Sequence, residues 1–376
     1  MKLQTNKQKI LLAMSGGVDS SIAALLLKKQ GYEVIGAFMK NWSDTKDPLT
    51  GRCAWRTERK MAINIASQLN IPLITLDFEK QYKKEIIEKL FEKYKKGITP
   101  NPDIDCNQKI KFPLLLKAAK KMKIDLIATG HYARVKENTK KRNYELLRAK
   151  DESKDQSYFL YKIKQNELSH CLFPIGNYTK TQIRKIAHKN NFPNYNKKGT
   201  VGICFVGKVN LKKFLKKKIK PKKGKILNPE GKIIGEHDGI YYYTIGQRLG
   251  PRYGFELDRG DKNKPSRWYV AKKDTKKNII IAAPKNHPLN FKKEIIVKDL
   301  HLISDNKKDF KKTNKPIKVF SRIRHVGELL PSTLFYNKKK KQFKIILKEP
   351  ITGISEGQAV VLYQKEKCLG GGEIRF

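Results

Sequence analysis

No run of about 18 consecutive apolar residues occurs in the sequence, which leaves no candidate for a transmembrane helix. The segment Met1 to Ile10 is polar and lacks the apolar stretch and small-residue cleavage site of a signal peptide, so a cytoplasmic protein with no membrane partner is expected. Cysteine is scarce: Cys53, Cys106, Cys171, Cys204 and Cys368 are five in number, and no two form a C-x-x-C pair. An odd count without close pairs argues against a disulfide scaffold, a zinc ribbon and a C-x-x-C-held cluster, and no metal ligands are assigned. Acidic residues are also few, 35 against 82 basic ones, and the basic set is lopsided, with 68 Lys to 14 Arg. The net charge of +47 draws polyanions at long range. Lysine, asparagine and isoleucine in excess also follow from A/T-rich coding DNA, so the charge supports nucleic-acid binding without establishing it.

What is present is enough for a large core. The 376 residues are 39% hydrophobic, a length that suggests two or three domains. Ile10 to Met14, Val34 to Met39, Leu73 to Leu76 and Ile124 to Thr129 read as strands. Between them Ser20 to Gln30, Thr57 to Leu69, Tyr82 to Tyr94 and Gln108 to Met122 read as helices. This alternation predicts an α/β domain with a parallel sheet over residues 1–205, whose ligands sit at the carboxyl ends of the strands. After Phe205 the pattern changes. A basic stretch, Lys212 to Lys225, is equally readable as a polyanion contact or a solvated loop. Short β-rich runs follow, among them Tyr241 to Ile245, Trp268 to Val270 and Ile279 to Ile281. They predict a small central domain over 206–285. The runs Ile317 to Ile323, Phe343 to Leu347 and Ala359 to Tyr363 predict a C-terminal β-barrel over 286–376, since closure removes exposed edges.

The segment Ala13-Met14-Ser15-Gly16-Gly17-Val18-Asp19-Ser20 joins the first strand to the first helix. Two glycines let the backbone turn tightly and approach a phosphate. The helix that follows offers unpaired N–H groups and the positive end of its dipole. The lysine of a Walker A loop is missing. The segment instead resembles the PP-loop, S-G-G-x-D-S, of the ATP pyrophosphatases, which implies ATP as co-substrate and pyrophosphate as leaving group. Met39 and Gly130, each at a strand end, would frame the adenine or simply pack. Magnesium is expected with the nucleotide, with Asp19 as a candidate ligand.

A PP-loop alone leaves amide ligases, other small-metabolite synthetases and tRNA thiolases open. Two cysteines narrow the choice. Asn101-Pro102-Asp103-Ile104-Asp105-Cys106 places two prolines, with Pro100, in a loop before the helix expected from Gln108. Cys106 near a helix N-terminus would favour the thiolate, and Asp103 could handle protons. The plain alternatives are a packed thiol and an N-cap. Cys204 lies in a second loop, 98 positions away. Two thiols facing one adenylated carbon suit sulfur transfer: one carries a persulfide, the other cleaves the resulting S–S bond.

The chain resembles the tRNA-specific 2-thiouridylase family. The matching segments are Ser15 to Ser20, Phe38 to Trp42, Asn101 to Phe112, Gly130 to Arg134, Lys154 to Leu160, Gly202 to Phe205, Thr244 to Arg248 and Cys368 to Gly372. The resemblance implies an adenine nucleotide alpha hydrolase-like PP-loop domain, a small central domain and a β-barrel. It implies 2-thiolation of the wobble uridine of tRNA, with Cys106 as nucleophile, Cys204 as persulfide carrier and Asp103 as acid/base. Asn101, Pro102 and Asp103 would contact the target base. His131, Lys154, Asp155, Gln156, Arg322, Ile323 and Gln358 would contact tRNA. A cysteine desulfurase or sulfur-relay protein is the expected donor. One departure stands out: the family reads Asp-Ser-Thr-Gly before the persulfide cysteine, where this chain has Gly199-Thr200-Val201-Gly202.

Overall fold

The computed structural model describes residues 7–44, 53–197, 199, 204, 206, 210–250, 267–303, 315–325 and 327–376. Gly202, Ile203 and Phe205 of the persulfide loop lie outside this set, as do Thr200 and Val201. The first unit is a parallel sheet of β1 (Lys9–Ala13), β2 (Glu33–Lys40), β3 (Leu73–Asp77), β4 (Leu126–Thr129) and, further along the chain, the short strand Cys171–Leu172, in the order β3-β2-β1-β4 with Cys171–Leu172 at the edge. Ile10, Leu11 and Leu12 are fully buried. A strand covered on both faces reads as a continuous apolar run, which is what made β1 legible. The strand order reverses at β1, and the crevice at such a switch point is where doubly wound sheets take their ligands.

The helices that flank the sheet are α1 (Val18–Lys29), α2 (Ala54–Gln68), α3 (Glu79–Tyr82), α4 (Lys89–Lys95), α5 (Pro102–Cys106) and α6 (Phe112–Lys121). Two of these pairs are continuous. A π-helical turn, Lys83–Glu88, joins α3 to α4, and another, Asn107–Lys111, joins α5 to α6. The second helix therefore starts at Pro102, six residues before the expected Gln108. Asn101 caps it by accepting from the Ile104 N–H at 3.4 Å, and Pro102 fills the first position, where its missing N–H costs nothing.

A hairpin of β5 (Ala133–Asn138) and β6 (Asn143–Arg148) follows β4, and the edge strand Cys171–Leu172 is β7. Two short helices, α7 (Gln165–Leu168) and α8 (Lys180–Lys189), complete this part of the chain. The basic stretch after Asn210 opens with a helix, α9 (Leu211–Lys216), whose Phe214 and Leu215 are buried, and continues to Lys223 as turn and irregular chain with its lysines exposed.

The central sheet contains β8 (Gly224–Leu227), β9 (Ile233–His237), β10 (Arg248–Leu249), β11 (Trp268–Asp274) and β12 (Ile279–Pro284), in the order β10-β11-β12-β8-β9. The expected strand Tyr241 to Ile245 is instead a 3-10 turn, Ile240–Tyr242, followed by irregular chain. Gly239 and Gly246 bracket it with φ of 150° and 83°, and two of its three tyrosine hydroxyls are tied inward, Tyr242 to the Ile219 carbonyl and Tyr243 to Asp238, each at 2.6 Å. The apolar composition reflects a buried turn, not a strand.

The barrel runs through β13 (Phe291–Leu302), β14 (Ile317–Arg322), β15 (Leu330–Asn337), β16 (Gln342–Thr352), β17 (Ala359–Gln364) and β18 (Lys367–Arg375). It is ordered β13-β16-β15-β14-β17-β18 and closed by β13 pairing with β18. The β5–β6 hairpin of the first domain joins this sheet: β6 pairs with β18 through Leu147↔Lys367 and Leu146↔Cys368.

Candidate functional site

The loop after β1 folds around its own hydroxyls. The Ser15 N–H donates to Ser20 Oγ (3.2 Å), the Gly17 N–H to Ser15 Oγ (3.3 Å), and the Ser20 and Ser21 hydroxyls both donate to the Gly17 carbonyl at 3.0 Å. Gly16 has φ of 75°, and a Cβ there would stand 2.3 Å from the Glu58 carbonyl oxygen, so only glycine fits. No side chain caps α1 at Gly17, which leaves its first N–H groups aimed at the cleft. Asn194 Nδ2 supports the loop from outside by donating to the Gly16 carbonyl and to Ser21 Oγ (3.1 and 2.9 Å). Asp19 Oδ1 accepts from Tyr132 Oη (2.8 Å) and from Lys180 Nζ (2.6 Å). Lys180 is held at the start of α8 by a reciprocal cap between Thr179 and Gln182. Gly130 packs so closely on α1 that a Cβ would lie 2.7 Å from the Ser20 nitrogen. Ala13, Met14, Val18 and Met39 line the same cleft.

The two cysteines 98 positions apart are brought together, with Cys106 Sγ 3.8 Å from Cys204 Sγ. Both are free thiols, as are Cys53, Cys171 and Cys368. Asp103 Oδ1 accepts from the Cys204 N–H at 2.9 Å, and the Tyr82 hydroxyl donates to the Cys204 carbonyl. Asp103 is therefore a clasp on the Cys204 loop and not the N-cap of α5. The two sulfurs have opposite electrostatics. Burial raises the Cys106 thiol well above its ordinary range, and its hydrogen bond to Cys204 adds to this. That hydrogen bond lowers Cys204, and the Lys111 cation assists against burial. The expected thiolate preference of Cys106 is thus reversed: the helix starts earlier than the sequence suggested, and Cys106 sits at its fifth residue, fully buried against Tyr82 and Leu90. Of the two sulfurs, Cys204 is the one whose surroundings favour the anion. Burial raises the Asp103 carboxyl, opposed by the Cys204 N–H and Lys111.

His131 stands on the other side of Lys111. Burial and the Lys111 charge hold its pKa well below the ordinary imidazole range. The neutral ring accepts from Lys111 Nζ at Nε2 (3.3 Å), so its proton is on Nδ1, donating to Thr129 Oγ1 at 2.6 Å.

The phosphate loop and Cys204 open onto one cleft of about 550 Å³, whose wall includes Ser15, Asp19, Asp103, Lys111, His131 and Cys204, with Cys106 buried behind it. Gly199, where the acidic residue was missing, is also on this wall, and nothing lies within 4 Å of where its Cβ would be. Among the described residues no group of three or more His, Cys, Asp or Glu side chains converges to hold a metal. A magnesium ion held chiefly by phosphate and water needs only one or two carboxylates, and Asp19 is the cleft carboxylate nearest the phosphate loop in sequence.

The remaining sequence candidates divide. Gln156 lines the cleft and its Oε1 accepts from the Tyr132 N–H (2.9 Å), while Lys154 is exposed beside it. Asp155 and Arg322 are 1% and 4% exposed and bonded to each other at 2.7 Å, so their side chains face the protein. Ile323 is buried. Gln358 Nε2 donates to the carbonyls of Thr99 and Pro100 (2.9 and 3.2 Å) and so steadies the segment that carries Asn101 and Pro102. The central domain grips the same segment: Lys273 Nζ donates to the Gly97 carbonyl at 2.8 Å, and the Thr99 and Thr244 hydroxyls bond at 3.1 Å. Lys111, Tyr82, Lys180 and Asn194 were not picked out from sequence. The two lysines carried no signal against 68 of their kind, and Asn194 has no motif.

Family models match nearly the whole chain: a tRNA methyl transferase HUP domain over residues 8–208, a tRNA methyl transferase PRC-barrel domain over 212–284 and an aminomethyltransferase beta-barrel domain over 292–374. The chain is 42% identical over 369 residues to the tRNA-specific 2-thiouridylase MnmA of Coxiella burnetii, covering 98% of each. It is 38% identical to the protein of the same name from Lactobacillus helveticus, covering 99% of this chain and 96% of that one. With MnmA 1 of Geobacillus kaustophilus the identity is 39%, over 98% and 95%.

Proposed function

The chain belongs to the tRNA-specific 2-thiouridylase family, and from that premise we propose that its cleft exchanges the 2-oxygen of a wobble uridine in tRNA for sulfur at the expense of ATP. The observation that carries this reading is the single cleft onto which both the PP-loop and the Cys204–Asp103 clasp open. Adenylation and sulfur transfer need a shared reaction volume, and an amide ligase would have no use for two opposed thiols.

The steps balance as follows. The Cys204 thiolate takes the outer sulfur from a donor persulfide, and the donor leaves as a thiol. A cysteine desulfurase or sulfur-relay protein is the donor. The uridine O2 attacks the α-phosphorus of ATP, pyrophosphate leaves, and the N3 proton is released. The first N–H groups of α1 and Lys180 hold the phosphates. Asp19 would hold magnesium, which supplies charge neutralisation on the phosphate oxygens when bound with nucleotide. The outer sulfur on Cys204 then attacks C2 and AMP departs, leaving a C2–S–S–Cys204 bridge. Cys106, giving its proton to the raised carboxylate of Asp103, attacks Cys204 Sγ. A Cys106–Cys204 disulfide forms and the 2-thiouridine leaves, recovering a proton. An external dithiol reduces the disulfide. Asn101 and Pro102 border the target base, and His131, Lys154 and Gln156 border the anticodon.

Mass analysis of tRNA after incubation with protein, ATP and a persulfide donor tests the reading. One oxygen-for-sulfur exchange per tRNA, with tRNA-dependent pyrophosphate release, is expected. Pyrophosphate release that ignores tRNA would point to a small-metabolite ligase instead.

A further inference from the structure

The π-helical turn Asn107–Lys111 has a geometric consequence for the sulfur pair. In an α-helix, residues five apart are about 140° from each other around the axis, so Cys106 and Lys111 would point in different directions. In a π turn the hydrogen bond runs from residue i to i+5, which widens the turn and brings residues five apart much closer in direction. Here the Phe112 N–H bonds the Asn107 carbonyl, the i+5 pattern. Cys106 and Lys111 are thereby turned towards one face, and Lys111 shares the cleft wall with Cys204, where its charge and a side-chain hydrogen bond favour the Cys204 anion. Lys111 also lines the cleft and contacts neutral His131 at 3.3 Å.

We propose that Lys111, delivered by this π turn, is a positioning residue that holds the sulfur of Cys204 as an anion, both as the thiolate that accepts a sulfane sulfur and as the persulfide that gives it up. The inference rests on the reading of Cys204 as persulfide carrier. Among the described residues the groups facing Cys204 are Cys106 and Asp103 from α5, Lys111 from the π turn, Tyr82 from the end of α3, and His131 beyond Lys111. Lys111 is the one cation among these. Burial pushes the Lys111 pKa down, but Cys204, Cys106 and Asp103 outweigh it and hold the ammonium above its ordinary value. His131 takes no proton itself, so it accepts from the ammonium without competing for the anion.

The test reads the thiol and not the overall reaction. The full-length protein is alkylated with iodoacetamide across pH 5 to 10, and modification of Cys204 is followed by peptide mass analysis. In Lys111→Met the midpoint for Cys204 moves up by about one pH unit or more, the range that loss of a neighbouring opposite charge produces. Lys111→Arg, which keeps the charge, stays near wild type. ATP binding, measured in parallel, confirms that each variant is folded. If Lys111→Met fails to bind ATP, Lys111→Gln, which keeps a donor and removes the charge, decides by the same readout. An unchanged Cys204 midpoint in a folded variant lacking the charge overturns the inference. Wild-type protein that alkylates as expected but never thiolates tRNA would count against the proposed function and leave the role of Lys111 intact.

Discussion

At the residue scale the division of labour between the two cysteines follows from their surroundings. Cys204 reaches the cleft beside a cation, and Cys106 is sealed behind it. The two substitutions should therefore fail differently. Cys204→Ser should take up no sulfane sulfur and release unmodified tRNA, with ATP binding intact. Cys106→Ser should load sulfur and attack, then stall with tRNA joined to Cys204 through a disulfide. Denaturing gels with and without reductant distinguish these outcomes: a reductant-sensitive protein–tRNA band is expected for Cys106→Ser alone. Full sulfur incorporation by either variant would refute the two-cysteine scheme. Both cysteines and the six positions of the PP-loop were legible in the sequence, because each motif carries its chemistry in adjacent residues. Lys111 was not, because its meaning lies in the phase of a helix turn.

At the scale of elements, the segment 97–102 is gripped by its neighbours. Lys273 of β11 donates to the carbonyls of Gly97 and Tyr243, the latter at 2.6 Å. Burial brings its pKa down from 10.5 to about 8. Below pH 8 the folded and unfolded states both carry the proton, and the cost of the partly buried cation is felt in full. Between pH 8 and 10.5 the folded state gives up its proton while the unfolded state keeps it, so stability rises with pH through this window. Lys273→Met removes that dependence. Thermal melts of both proteins from pH 7.5 to 10 should show wild type gaining on the variant as pH rises, and a constant difference would contradict the assignment. Helix and strand existence was mostly readable here, but both π turns were not, since a 3.6-residue period has no place for an inserted residue. The β5–β6 hairpin also escaped: its turn, Thr139 to Arg142, lacks the Asn-Gly or Asp-Gly signal, and Arg142 itself adopts φ of 49°.

At the scale of the molecule, the barrel and the PP-loop domain meet at a buried ion pair. Asp155 accepts from Arg322, from the Ala149 and Ser157 N–H groups at 3.1 Å and from the Ser157 hydroxyl at 2.9 Å. Arg322→Ala leaves the buried carboxylate with only the more distant Arg148 Nε, 3.7 Å away, as counter-charge, a change that costs up to about 3–5 kcal/mol. Chemical denaturation should show a loss approaching that order. A loss below about 1 kcal/mol would mean that Arg148 and the backbone donors suffice. The net charge of +47 belongs to this scale as well. If it serves tRNA, affinity should fall steeply between 50 and 200 mM salt, by roughly a thousandfold or more for six phosphate contacts. A flat response would assign the lysine excess to coding bias. No helix among the described residues is long and apolar enough to cross a membrane.

The seam between β6 and β18 bears on how the molecule could be taken apart. The strands that flank the seam come from positions more than 200 residues apart, so the covalent order of the domains is not their order of assembly. A fragment cut before β13 would keep its nucleotide loop and yet present a bare strand edge at Asn143 to Arg148, open to pairing with another chain. A barrel transplanted from a relative would meet that same edge with foreign side chains opposite Leu146 and Leu147. The hairpin travels with the catalytic domain in the gene and with the barrel in the fold, and any chimaera has to choose which of the two inheritances to respect.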